Sequence, residues 1–251
     1  MMKTTLPLIA ALLLASGNGF AALYNFDLAR DRGGVVFNAS TDDSNLVWNT
    51  AAPAGTSSMT WNVVNTGFGN LSGSPVSFTN LSSSTGVSSS YALSIGPVNT
   101  DGYSDETPRD GVWTSYMTTT VVNGASGGPT ITLSGFSPGE FVNLVIYTGQ
   151  ARWSGATTGE FTFGSITRSY LQEGGAFGGG FDSVEGATYV RFNGLVPDGD
   201  GNITGTFGAL AAEQEGAASL AGLQFEVIPE PTAAFLGALG VFVFLLRRRN
   251  G

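Results

Sequence analysis

Leu223-Gln224-Phe225-Glu226-Val227 alternates apolar and polar side chains in strict period two, the pattern of a strand with one face in a core and the other outside it. Leu223, Phe225 and Val227 fall on one side, Gln224 and Glu226 on the other. A second stretch, Phe141-Val142-Asn143-Leu144-Val145-Ile146-Tyr147, is more continuously apolar and predicts a central strand buried on both faces. Outward from these two, strands are expected at 59–64, 90–95, 117–122, 130–133, 160–163, 167–171, 188–192 and 202–207. Ser137-Pro138-Gly139, Gly174-Gly175 and Pro197-Asp198-Gly199 punctuate them as turns. Residues 209–220 are expected to form a helical turn, weakened by Gly216. Many short strands with frequent turns predict one β-sandwich or jelly roll.

Composition agrees. Glycine supplies 37 of 251 residues and only 12% are charged, which disfavours helices at nearly every turn and favours strands closed by tight turns. A 42% hydrophobic content with 17 Phe separates the chain from disordered Gly/Ser-rich sequence. Lys3 is the only lysine, and Arg247, Arg248 and Arg249 cluster at the far end. Between these extremes six arginines face all 19 acidic residues, a net charge of −13. Such a region repels nucleic acid and anionic lipid and would suit Ca²⁺, which takes carboxylate and carbonyl oxygens. Cysteine and histidine are absent. Their absence excludes disulfides, thiolate nucleophiles, Cys/His zinc sites and any Ser-His-Asp triad.

Both ends read as addressing segments. Lys3, the apolar run 6–15 and the small residues Gly19 and Ala21 make residues 1–21 a secretory signal peptide. Its apolar run as a helix spans only about 15 Å, too short to cross a bilayer. At the other end stand Pro229-Glu230-Pro231, the apolar segment 232–246 and the three arginines. The segment is expected to be a transmembrane helix with the arginines left on the cytoplasmic side. This tail, residues 228–251, resembles the PEP-CTERM sorting signal, whose three features occur here in order. The resemblance implies processing by the membrane protease-transpeptidase exosortase in a Gram-negative bacterium. Pro229, Glu230 and Pro231 would then be recognition residues, and the processed protein would end at the cell surface or outside the cell.

Residues 22–227 remain as the β-sandwich domain. Within them ITLSGFSPGEFVNLVIYTGQ (131–150), FTFGS (161–165), YVRFNGLVPDGDGNITGTFGA (189–209) and SLAGLQFEVIPEP (219–231) resemble secreted proteins with galactose-binding-like jelly rolls. That resemblance implies carbohydrate binding.

Three local features are candidate sites. Asp198, Asp200 and Asn202 place oxygens at alternate positions, as an EF-hand loop does, but Ile203 replaces its glycine and Ala209 its final glutamate. A looser calcium site and a tight Asp-Gly turn both fit. The acidic loop 101–110, with Asp101, Asp105, Glu106 and Asp110 beside Tyr103 and Trp113, would hold a cation, a sugar or only solvent. Trp48, Trp61, Trp113 and Trp153 are stacking platforms or core residues; Trp153, next to Arg152 and the 155–159 loop, is the best placed for a sugar. No motif selects a glycosidase carboxylate pair. The expectation is a non-catalytic, exosortase-sorted surface or matrix protein that binds exopolysaccharide through its sandwich. A self-associating structural protein and a polysaccharide-active hydrolase are the alternatives.

Overall fold

The computed structural model describes residues 21–29, 31–32, 35–36, 47–48, 60–65, 75–96, 103–104, 115–119, 129–148, 157–172, 184–210 and 218–229. Sixteen strands run through them: β1 (Ala22–Ala29), β2 (Asp31–Arg32), β3 (Val35–Val36), β4 (Asn62–Asn65), β5 (Val76–Phe78), β6 (Ala92–Gly96), β7 (Tyr103–Ser104) and β8 (Ser115–Thr119). The second half supplies β9 (Thr130–Ser134), β10 (Phe141–Tyr147), β11 (Thr157–Phe163), β12 (Ile166–Gln172), β13 (Tyr189–Leu195), β14 (Asn202–Ala209), β15 (Ala218–Leu220) and β16 (Gly222–Ile228).

Two large sheets carry the fold, one ordered β13-β10-β16-β1-β4 and the other β12-β11-β14-β9-β6-β5. All their pairings are antiparallel except β1 with β4. A three-stranded sheet, β15-β8-β7, and the β2-β3 pair complete the described pairings. From β9 onward the chain changes sheets repeatedly: β10, β13 and β16 join the first sheet while β9, β11, β12 and β14 join the second. Each change carries apolar residues into one shared interior. Phe26, Leu144, Ile146, Phe192 and Phe225 from the first sheet meet Leu93, Ile131, Phe161, Phe163 and Phe207 from the second in a single buried cluster. Each such side chain contributes about 1.5–3 kcal/mol on burial. Phe163 meets Phe192 edge-on at 4.9 Å and Phe161 stacks on Phe207 at 5.6 Å.

The outer face of the six-stranded sheet is built from hydroxyls. Ser77, Ser94, Thr132 and Thr204 stand in cross-strand register, and so do Thr130, Thr206, Thr162 and Thr167. Ser77 and Ser94 hydrogen-bond at 2.9 Å, as do Thr162 and Thr167. Threonine suits a half-buried pleated surface, which accounts for part of the Ser/Thr richness of the chain.

The all-β sandwich stands as expected. The expected C-terminal transmembrane helix has no counterpart among the described residues, and the fold class is corrected to all-β strands on that ground. Every described regular element is a strand, and among the described residues no helix is long and apolar enough to cross a membrane. A helical span needs about 20 apolar residues, whereas β10, the most apolar described strand, has 7. Membrane attachment through that helix, exosortase as partner and a surface destination reached by cleaving the tail are corrected with it. Segment 232–246 itself, like the leader 1–20, lies outside the described residues. The helical turn expected at 209–220 is also replaced at both ends: Ala209 closes β14, and β15 runs over Ala218–Leu220.

Candidate functional site

The outer face of the five-stranded sheet differs sharply from its hydroxyl-clad counterpart. Tyr24, Phe26 and Leu28 of β1 and Leu223, Phe225 and Val227 of β16 turn into the core, so Asn25, Asp27, Gln224 and Glu226 turn outward. Solvent would be their ordinary surrounding. Yet Asn25 and Gln224 are fully buried and Asp27 is 2% exposed. Two other outward side chains, Val145 and Tyr147 of β10, are fully buried too.

A cover explains this burial. Val47, Trp48 and Trp61 pack against an outer cluster of Leu23, Val145, Tyr147, Tyr189 and Ala221. Gln224 holds the cover down through all the hydrogen-bonding positions of its amide. Its Oε1 accepts the Tyr147 hydroxyl and, at 3.3 Å, the Trp48 N–H. Its Nε2 donates to Asn25 Oδ1 and to the Trp48 carbonyl, both at 2.8 Å. The Val47 N–H donates to the Tyr147 hydroxyl at 3.0 Å, and Asn25 Nδ2 donates to the Thr60 carbonyl at 3.0 Å. Burial above all pushes the Tyr147 hydroxyl far above its ordinary value, with Tyr189 adding to the rise; the Val47 N–H and Arg191 pull the other way. Tyr147 is therefore a neutral donor at any ordinary pH. A buried polar group without a partner costs about 1–3 kcal/mol, so this satisfied network fixes where Trp48 sits.

Arg191 lies at the edge of the same row. Val190 and Phe192 enter the core, which sends Tyr189 and Arg191 of β13 outward. In register, Arg191 faces Val145, Val145 faces Gln224, and Gln224 faces Asn25. The Arg191 guanidinium carbon stands 5.8 Å from the Trp48 ring centre and 5.9 Å from that of Tyr189, within the range of a cation–π contact. Arg191 and Trp48 are half-buried. Nε of Arg191 is closed off with no hydrogen-bond partner among the described residues. The edge of the face thus presents a cation close to two aromatic rings, beside polar groups already committed to one another.

Most of the site residues expected from sequence lie outside the described residues. Arg152, Trp153 and Trp113 lie outside the described residues, as do Glu230, Pro231, Arg247, Arg248 and Arg249. Tyr103 belongs to β7 and pairs with Tyr116. Pro229 follows the end of β16. Asp198, Asp200 and Asn202 do come together, in the turn before β14. There Asp198 Oδ1 accepts the N–H groups of Asp200 at 3.0 Å and Asn202 at 2.8 Å, while the Asp198 N–H donates to the Asn202 carbonyl at 2.8 Å. That is a side-chain-capped turn. Among the described residues no group of three or more Asp, Glu, His or Cys is placed to hold a metal ion.

Trp48 and Trp61 were legible as aromatic candidates; Gln224, Asn25, Tyr147, Tyr189 and Arg191 were not. The signal was present in β10. A strand apolar on both faces requires something to cover its outer face, and that cover also buries the polar residues of its neighbour.

Sequence comparison finds no family model that matches the chain and no curated protein that matches it. Among solved structures, the chain is similar to the CBM36-1 domain of a multidomain xylanase from the hindgut metagenome of Trinervitermes trinervoides. That similarity has 12% identity and a TM-score of 0.30, over 52% of this chain and 87% of that one. A CBM22-1 xylan-binding domain from Paenibacillus barcinonensis gives 17% identity and a TM-score of 0.32, over 55% and 86%. An exo-β-1,3-galactanase from Phanerochaete chrysosporium, solved with galactose, gives 15% and 0.29, over 62% and 29%. Likenesses this distant extend to no ligand, substrate or activity.

Proposed function

We propose that the protein is a non-catalytic glycan-binding β-sandwich and that the half-buried Trp48–Arg191 patch, at the β13 edge of the covered face of its five-stranded sheet, is the binding surface. The observation that carries this reading is the Arg191 guanidinium within cation–π range of both Trp48 and Tyr189. An indole face takes the C–H side of a pyranose, and a guanidinium offers planar, forked donors to sugar oxygens. The Gln224 network supports the reading because it sets Trp48 in place before a ligand arrives, which lowers the ordering cost of binding. Hydrolysis of a glycan would need a placed pair of carboxylates, and no motif in the sequence selects one. Exopolysaccharide is the first glycan class to test, and Trp153 with Arg152 is a second set of contacts offered by the sequence.

A glycan array probed with the full chain tests the proposal, with Trp48→Ala and Trp153→Ala beside it. Binding to a defined glycan class that Trp48→Ala weakens at least tenfold, with the unfolding midpoint retained, supports it. Binding lost only in Trp153→Ala moves the site. No binding to any glycan, together with concentration-dependent self-assembly, replaces the reading with a structural one.

A further inference from the structure

The uncommitted cation gives the proposed glycan surface a chemical preference. We infer that the Arg191 position selects saccharides carrying a carboxylate, the uronic acids, over neutral sugars; this rests on the glycan-binding reading above. Among the described residues no carboxylate forms an ion pair with Arg191. The described carboxylates on or beside this sheet are Asp27 on β1, Glu226 on β16 and Glu185, which bridges to Tyr189 at the open edge of β13 without pairing with Arg191. With strands about 4.8 Å apart, β16 lies about 10 Å from β13 and β1 about 14 Å from it. Glu226 is also engaged, accepting a hydrogen bond from Asn143 Nδ2 at 2.9 Å.

Nε of Arg191, buried without a partner among the described residues, leaves one donor of the fork unused. The two Nη groups are not closed off in this way, so they are the donors within a ligand's reach. A planar carboxylate matches a guanidinium with two parallel N–H···O bonds, shorter and about twice as strong as neutral ones. A hydroxyl offers no such match. Trp48 and Tyr189 lie within cation–π range of the guanidinium and help to fix its position. A lysine in the same place would give a rotating point charge with no fork.

The negative balance of the chain opposes an anionic ligand at long range. Screening over about 8 Å at physiological ionic strength confines that repulsion, so the attraction at Arg191 is a contact effect best seen with short ligands.

Calorimetric titration of the full chain with trisaccharides of galacturonate, glucuronate and mannuronate, each beside its carboxyl-reduced neutral counterpart, tests the inference. At least one acidic trisaccharide should bind about tenfold or more tightly than its counterpart. Arg191→Gln should remove that difference, and Arg191→Lys should restore only part of it. The ligand pairs decide the matter even if a variant folds poorly, because they remove the charge from the other partner. Equal affinity within every pair, with binding still dependent on Trp48, overturns the inference and leaves the glycan reading in place. Absence of binding to every acidic and neutral glycan, on the array as in solution, overturns both.

Discussion

Gln224 grips both backbone polar groups of Trp48 at once, accepting its N–H at 3.3 Å and donating to its carbonyl at 2.8 Å across 176 residues of sequence. One side-chain amide thus does for Trp48 what a neighbouring strand would do. Gln224→Ala should destabilise the protein by about 3 kcal/mol, because the Tyr147 hydroxyl, Asn25 and the Trp48 backbone lose partners in a largely dry place. Urea denaturation gives that figure. The same variant should lose glycan affinity although Gln224 is fully buried. Unchanged stability would mean that the cover rests on something other than this amide.

The turn at Asp198 should prove structural. Asp198→Ala removes the acceptor of two backbone N–H groups and is expected to cost about 1 kcal/mol. Thermal melts with added Ca²⁺ and with EDTA should superimpose. A rise in the melting midpoint with Ca²⁺ that Asp198→Ala abolishes would assign the turn to a cation instead.

Gly201, in the same turn, has φ +75° and donates to the Asp198 carbonyl at 3.0 Å. A Cβ there would lie 2.4 Å from the Phe136 carbonyl oxygen. Gly201→Ala meets both the left-handed backbone and a backbone clash, so it should cost more than about 1 kcal/mol. Denaturant melts read this directly.

Alkaline pH should unfold the protein through its buried tyrosines. Burial pushes the Tyr170 hydroxyl up to about 12, with its hydrogen bonds to Ser219 opposing the rise; Tyr24, Tyr91 and Tyr147 are also raised, chiefly by burial. A tyrosine whose folded pKa exceeds its unfolded value of 10.0 holds its proton more tightly when folded. Its contribution is complete below pH 10 and is lost as pH climbs toward 12. The melting midpoint should therefore fall steadily above pH 10. In Tyr170→Phe that fall should be shallower, from a lower starting stability, because the Ser219 N–H loses its 2.6 Å acceptor. A midpoint that is level to pH 12 would contradict this account.

Much of the sandwich was legible because its strands obey period two. Phe141–Tyr147 was read over its observed extent, and Leu223–Val227 lies within β16. β1 was not anticipated, although Tyr24, Phe26 and Leu28 alternate with Asn25 and Asp27 in period two. β5 and β15 have three residues each, too few to show a period. The candidate site was less legible for a different reason. Alternation tells which residues share a face, but not whether that face is covered. Gln224 reads as a solvent residue until Trp48, remote in sequence, is placed over it. Arg191 has the same difficulty, since the two rings near it come from β13 itself and from the covering segment.

Calorimetric titration of the full chain and of Trp48→Ala with the glycan that the array selects tests the central claim most directly. The account predicts binding with one site per chain and at least a tenfold loss in Trp48→Ala, with an unfolding transition still present. Equal affinity in the two proteins would contradict it and place the glycan away from the five-stranded sheet.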